Sequence, residues 1–125
     1  TSEMQEKRAG AAVVASGAYI YVLGGHCDAN ELKTAERFDV AKRQWQSLPS
    51  MVHKRAYAGA AALGSNIFVC GGWTGLQFLS SVERFNVVTW GWEVMPTMLE
   101  ARAGAGVTTL GNYLYVCGGA CAQPT

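Results

Sequence analysis

The sequence predicts an all-β protein built from a repeated unit of four short antiparallel strands. A 47-residue period runs through the 125-residue chain, and each period holds apolar, β-branched and aromatic segments separated by turn residues. The one helical candidate, residues 29–37, lacks a sustained apolar stripe and ends in a strand-like pattern. We therefore expect a series of small sheets.

The period is defined by residues that recur at the same place in successive units. Arg8 is followed at steps of 47 residues by Arg55 and Arg102, and no insertion interrupts the register. Chance does not place this many Gly, Trp, Pro and Met residues in phase, so the repeat is structural. The other residues in phase are Gly17, Gly64 and Gly111, Gly24, Gly25, Gly71, Gly72, Gly118 and Gly119, Glu36 and Glu83, Trp45 and Trp92, Pro49 and Pro96, and Met4, Met51 and Met98.

Each unit reads as a small-residue strand, an aromatic and β-branched strand that ends in Gly-Gly, a Glu-Arg-Phe strand, and a strand with the Trp. The predicted ranges are 8–15, 55–63 and 102–110 for the first strand, 19–25, 66–72 and 113–119 for the second, 34–40 and 81–87 for the third, and 44–51 and 91–98 for the fourth.

The repeated residue types have structural roles. The Gly-Gly pairs suit a turn or the close approach of another segment, and the small first strand suits a crowded inner position. The tryptophans supply apolar area between sheets. We interpret the repeated Arg and Glu as structural charge pairs rather than catalytic groups, and we expect Cys70 and Cys117, which are in phase, to be buried small hydrophobes.

This order of motifs resembles the kelch repeat, and residues 71–98 especially resemble kelch-like proteins that join a BTB domain to a propeller. The resemblance implies blades of four antiparallel strands around a channel, in a partial β-propeller of about two and a half blades. It also implies a protein-interaction module, with substrate recognition for a cullin-type ubiquitin ligase or binding to actin or the cytoskeleton as possible roles.

The phase divides the chain into repeat one at residues 1–50, repeat two at 51–97 and the first half of repeat three at 98–125. Residues 1–4 read as the tail of a preceding unit. An array that begins and ends inside units exposes sheet edges, so we expect self-association or membership of a longer propeller chain. The alternative to a protein-interaction role is a purely structural repeat scaffold.

Functional residues are expected where the repeats differ, chiefly in the first loop (residues 26–33) and the second loop (residues 73–80), which follow the Gly-Gly pairs. The partner-binding candidates are His26, Asp28, Glu31, Lys33, Trp73, Thr74 and Gln77. Trp73 is predicted to be exposed, since aromatic residues dominate interface energetics, whereas Phe78 is predicted to fold back onto its blade. For each polar candidate taken singly, a solvated loop face is the alternative.

By the resemblance, the positions after the repeated arginines also line the channel mouth. Those positions are Ala9, Ala56 and Ala103. Many family members have serine there, and alanine lacks the hydroxyl, which argues against a pocket of the usual polar kind.

An enzyme is not expected, and an enzyme site completed by further blades is the less favoured alternative. His26 and His53 lie in different kinds of loop, and no Ser-His-Asp or Cys-His spacing occurs. Cys27 and Cys121 are two periods apart, but the CxxC pairing of zinc motifs is absent, so neither a metal nor another cofactor is expected.

Composition narrows the partner to a protein or peptide. The net charge is +1 with no basic block, which argues against a nucleic-acid partner. No apolar run reaches the length of a membrane span, so no membrane partner is expected. Four cysteines without a dense framework favour reduced thiols in a cytoplasmic protein.

Overall fold

The computed structural model describes residues 3–120, and within that range the chain is all-β, with no helix. It therefore confirms the predicted fold class. In the same range no helix is long and apolar enough to span a membrane.

Sheet one corresponds to the first repeat and has four antiparallel strands in the order β1-β2-β5-β6. Between β2 and β5 the chain forms a small hairpin, β3-β4, which the sequence did not predict. The strands are β1 (Ala12–Ser16), β2 (Tyr19–Leu23), β3 (His26–Cys27), β4 (Asn30–Glu31), β5 (Ala35–Asp39) and β6 (Gln44–Leu48).

Sheet two repeats this arrangement, with the order β10-β9-β8-β7, and sheet three has two strands in the described residues. The strands are β7 (Gly59–Leu63), β8 (Asn66–Cys70), β9 (Val82–Asn86), β10 (Gly91–Met95), β11 (Gly106–Leu110) and β12 (Tyr113–Cys117). The register repeats with the sequence period, since Ala12 pairs with Leu23, Gly59 with Cys70 and Gly106 with Cys117.

The first strand of each unit begins four residues later than its predicted start at the repeated arginine. In the first unit, Gly10 takes a left-handed φ of 62°, which interrupts an extended strand. Ala9 consequently forms only an isolated bridge to His26. The arginine segment is a connection that crosses the end of the sheet.

The sheets stack with their first strands adjacent, β1 against β7 and β7 against β11. The packing is close, because a Cβ placed on Gly59 would collide with the side chain of Val107. The crowded inner position predicted for the small-residue strand is therefore confirmed.

An apolar core fills the space between sheets one and two, with members that include Leu23, Met51 and Ile67. Trp92 packs against Phe85 at the margin of this core, with ring centroids 5.3 Å apart. Its indole N–H donates to the Pro49 carbonyl oxygen at 2.7 Å, which ties sheet two to the end of sheet one.

The prediction for Cys117 is wrong. Cys70 is buried, whereas its counterpart Cys117 is exposed. Gly71 follows Cys70 and Gly118 follows Cys117. The surroundings of the two glycines differ in the same way as those of the two cysteines. A Cβ on Gly71 would collide with the Arg102 carbonyl oxygen, whereas a Cβ on Gly118 would meet no atom of residues 3–120 within 4 Å.

Candidate functional site

The first and second loops lie at the same end of the stacked sheets, where the second strand of each sheet ends. Each loop is tied to the arginine of the following repeat. Gly25 donates its N–H to the Arg55 carbonyl oxygen at 2.7 Å, and Gly72 donates to that of Arg102 at 2.9 Å. The Gly-Gly pairs are needed here, because a Cβ on Gly24 would collide with the same Arg55 oxygen.

A second set of backbone bonds holds the residues after the arginines. Ala56 and Trp73 exchange two N–H···O bonds of 2.9 and 2.8 Å, and equivalent pairs join Ala9 to His26 and Ala103 to Ala120. Ala56 is fully buried, so the expectation that it lines the mouth is wrong for this position. Backbone hydrogen bonds therefore fix the base of each loop.

The repeated charge pair lies beneath each loop base. The guanidinium of Arg55 is fully buried and lies 2.8 Å from the carboxylate of Glu83. It also donates to the carbonyl oxygens of Gly71 and Ser81 and to the Ser81 hydroxyl. Burial lowers the pKa of Arg55, and the Glu83 carboxylate opposes that change.

The same arrangement recurs in the first repeat, where Arg8 pairs with the Glu36 carboxylate at 3.0 Å and donates to the Gly24 carbonyl oxygen. In the third repeat, Arg102 donates to the Gly118 carbonyl oxygen at 3.0 Å. These arginines therefore hold the Gly-Gly turns in place. The predicted Arg–Glu charge pairs are present in the first and second repeats.

The first loop presents its polar candidates differently. Asp28 and Lys33 are exposed, with Asp28 at the tip of the β3-β4 hairpin in a left-handed conformation (φ 55°). His26 is partly buried, and its Nε2 lies 3.1 Å from the hydroxyl of Tyr57. Glu31 reaches the second loop, because a Cβ on Gly75 would collide with its carboxylate.

The second loop centres on the rings of Trp73 and Phe78, whose centroids are 4.9 Å apart. Trp73 is partly buried, so the prediction of an exposed indole is wrong: the ring packs on Phe78. Phe78 folds back as predicted. The Thr74 hydroxyl accepts the N–H groups of Leu76 and Gln77, each at 3.2 Å.

Thr74 is thus occupied in shaping the turn, whereas Gln77 is exposed. Leu76 is 91% exposed and stands away from the loop. The structure therefore leaves Asp28, Lys33 and Gln77 as the freely presented polar candidates of the two loops.

Cavities lined by described residues open at this end of the molecule. A cavity of about 400 Å³ adjoins the first loop and is lined by Lys7, Arg8, Ala9, His26, Cys27 and Asp28. A second cavity of about 270 Å³ lies between sheets two and three and is lined by Tyr57, Trp73, Phe78, Ala103, Gly104 and Ala120. The second is apolar and is walled by three aromatic rings.

Tyr57 is the site residue that the sequence analysis missed. It follows Ala56, and its counterparts in the other repeats are Gly10 and Gly104. At this one position of the repeat, the second unit has Tyr where the first and third have Gly. Such a difference between repeats is the signal that marks a residue outside the scaffold. Tyr57 also has a left-handed φ of 58°, which is uncommon for a bulky residue.

The cysteines show no catalytic or metal-binding arrangement within residues 3–120. Burial raises the pKa of the Cys70 thiol to about 11, with Arg55 opposing the change, so this thiol stays protonated at neutral pH. No group of three or more His, Cys, Asp and Glu residues in that range is placed to hold a metal ion. Cys121 lies outside the described residues.

His53 is not a simple solvated histidine. Its side chain is 41% exposed, and its Nδ1 lies 3.8 Å from the buried Glu83 carboxylate. This places His53 beside the structural charge pair and away from His26, so the two histidines do not form a common site.

Comparison with known proteins supports one family. Residues 1–124 match the family model described as the KLHDC2/KLHL20/DRC7 Kelch-repeats domain. No curated protein matches the chain.

Proposed function

This chain belongs to the kelch-repeat family, and we propose that it binds a partner protein through its first and second loops. A kelch-repeat domain supports a role in protein–protein interaction in general, and propellers of this family are generally non-enzymatic.

The observation that carries the proposal is that chemically different loops stand side by side on a rigid common base. Their bases are fixed by the backbone bonds at Gly25, Ala56 and Gly72. Asp28 and Gln77 project from them into solvent. Fixed loops lose little conformational entropy on binding, so this arrangement favours recognition of a protein or peptide surface.

We further propose that the partner is a substrate of a cullin-type ubiquitin ligase and that recognition occurs in the cytoplasm. The resemblance to kelch-like propellers attached to BTB domains motivates this step. A partner peptide fused to a fluorescent reporter should then be degraded faster in cells that express the natural protein. Blocking cullin activation should abolish the difference. If the reporter half-life changes neither with expression of the natural protein nor with the cullin block, the ligase role is rejected and the binding role still stands.

The binding role is tested by selecting peptides from a phage-displayed random library against the purified chain. Binding of the selected peptides should weaken in a D28A/K33A/Q77A variant. The matched control is K42A/V88A, because Lys42 and Val88 are exposed residues in the turns at the opposite end of sheets one and two.

Two results would reject the proposal. One is that no peptide is selected at all, as expected of a scaffold without a ligand. The other is that the control variant weakens binding as much as the loop variant does.

A further inference from the structure

Sheet one meets sheet two, and sheet two meets sheet three, at contacts that are called joints here. The two joints share the same backbone hydrogen bonds but contain different side chains. Tyr57 donates its N–H to the Gly10 carbonyl oxygen at 2.7 Å, and one period later Gly104 donates to the Tyr57 carbonyl oxygen at the same distance. Gly10, Tyr57 and Gly104 therefore occupy one structural position in three successive repeats. The side chain at that position decides what lies in the joint beneath it.

In the joint between sheets one and two, the ring of Tyr57 lies over Gly10 at the surface and is 50% exposed. It covers Gly10 so closely that a Cβ placed there would lie 2.8 Å from the ring. It also lies beside His26, with centroids 5.6 Å apart and the Tyr57 hydroxyl 3.1 Å from Nε2. The Tyr57 ring is therefore the aromatic plug of this joint, meaning the side chain that covers the contact between the two sheets.

In the joint between sheets two and three, the equivalent residue is Gly104, which has no side chain. Among residues 3–120, a Cβ placed on Gly104 would meet no atom within 4 Å, and the apolar cavity of about 270 Å³ opens at this point. Its walls are the rings of Tyr57, Trp73 and Phe78. The cavity is therefore the place that a tyrosine fills one repeat earlier.

We propose that this cavity, named here the aromatic cradle, receives an aromatic side chain from a peptide segment of the partner protein. The inference rests on the proposed function and specifies what the loop surface recognises. The occupant is identified by the repeat itself, because the same backbone position holds a phenol ring in the neighbouring joint.

The size and lining of the aromatic cradle agree with one aromatic side chain. A volume of about 270 Å³ is at the lower limit of the roughly 300–1,000 Å³ typical of ligand pockets, so it suits a single ring. Its described lining residues include no charged side chain, which disfavours a cationic or anionic guest. Trp73 and Phe78 are inclined at 58°, so a third ring can pack against them edge to face.

The test uses p-cresol, the tyrosine side-chain analogue, as the probe, with n-butylamine, the lysine side-chain analogue, for comparison. In ¹H–¹⁵N spectra of the folded chain, p-cresol should shift the Gly104 and Ala120 amides and the Trp73 indole N–H saturably, with a Kd of about 1 mM. Butylamine should leave these signals in place.

Gly104→Tyr is the decisive variant, because it supplies the plug that Tyr57 supplies one repeat earlier. The φ of Gly104 is 71°, close to the 58° that Tyr57 already adopts, so the substituted residue has a precedent in the chain. This variant should lose p-cresol affinity by about tenfold or more. Leu76→Ala, in the same loop but outside the aromatic cradle, should bind as the unaltered chain does. If Gly104→Tyr fails to fold, Trp73→Ala tests the same loss by removing one wall.

The peptide selection separates this inference from the proposed function. The aromatic cradle predicts that selected peptides share an aromatic residue and lose binding to Gly104→Tyr. Peptides that depend on the loops but contain no aromatic residue would overturn the aromatic cradle and leave the interaction module standing. Absence of any p-cresol shift, or equal shifts in Gly104→Tyr, would overturn it directly.

Discussion

Replacing Glu83 by Gln should destabilise the fold more than any other isosteric change in the described chain. The substitution keeps the shape of the side chain but removes the charge that faces Arg55, whose guanidinium is fully buried. The Glu83 carboxylate also accepts the N–H groups of Val52 at 2.7 Å and His53 at 3.2 Å. An amide supplies one acceptor oxygen and turns an N–H₂ donor toward the remaining donors.

The expected magnitude follows from the burial of the pair. Breaking a buried ion pair by neutralising one partner typically costs about 3–5 kcal/mol, because the other charge stays buried without compensation. The total free energy of unfolding of a domain is usually about 5–15 kcal/mol, so this loss is a large fraction of it. The carbonyl oxygens of Gly71 and Ser81 remain as acceptors for Arg55 and keep the loss toward the lower end of that range.

The assay is urea unfolding at neutral pH, followed by the fluorescence of the four tryptophans. Glu93→Gln is the matched control, since Glu93 pairs with Arg84 at 3.1 Å on the surface, with its own side chain 51% exposed. Exposed pairs contribute about 0–1 kcal/mol, so the control should barely move the midpoint. If Glu83→Gln cost no more than Glu93→Gln, the buried pair would not be a structural element of the repeat.

Three further predictions concern the thiols and the joint between sheets one and two. Burial raises the pKa of the Cys70 thiol from 9.0 to about 11, so the free energy of unfolding should fall between those pH values by up to roughly 3 kcal/mol. Cys70→Ala, compared by urea titration at each pH, should lack this loss. In the folded chain an aromatic disulfide reagent should label exposed Cys117 first, Cys27 next and buried Cys70 last, and fast labelling of Cys70 would contradict its burial. Trp92→Phe removes the bond to the Pro49 carbonyl oxygen and should cost about 0.5–1.5 kcal/mol in the same unfolding assay, whereas no loss would show that this bond does not couple the sheets.

The sequence predicted the scaffold well because the scaffold is periodic. Gly24 and Arg55 recur because each repeat places its Gly-Gly turn against the arginine of the next one. Residues that meet the same neighbour in every repeat must keep the same chemistry, and the 47-residue step displays that requirement.

The sequence predicted less well where a residue's environment depends on the neighbouring unit. Cys117 lies in the same local sequence pattern as Cys70, but it is exposed whereas Cys70 is buried. Its exposure could therefore not be inferred from its position in the repeat. Trp73 lies in a loop yet packs on Phe78, and this contact depends on how the turn at Thr74 folds. Tyr57 was overlooked because it sits in a connection that was assigned to the first strand.

The most direct test of the account is to map where a selected peptide binds, by hydrogen exchange of the chain with and without the peptide. The account predicts slowed amide exchange in the first and second loops, residues 26–33 and 73–80, with no change in the turns at residues 40–43 and 87–90 at the other end of the sheets. Protection confined to those distal turns would contradict the claim that the loops after the Gly-Gly pairs carry the function.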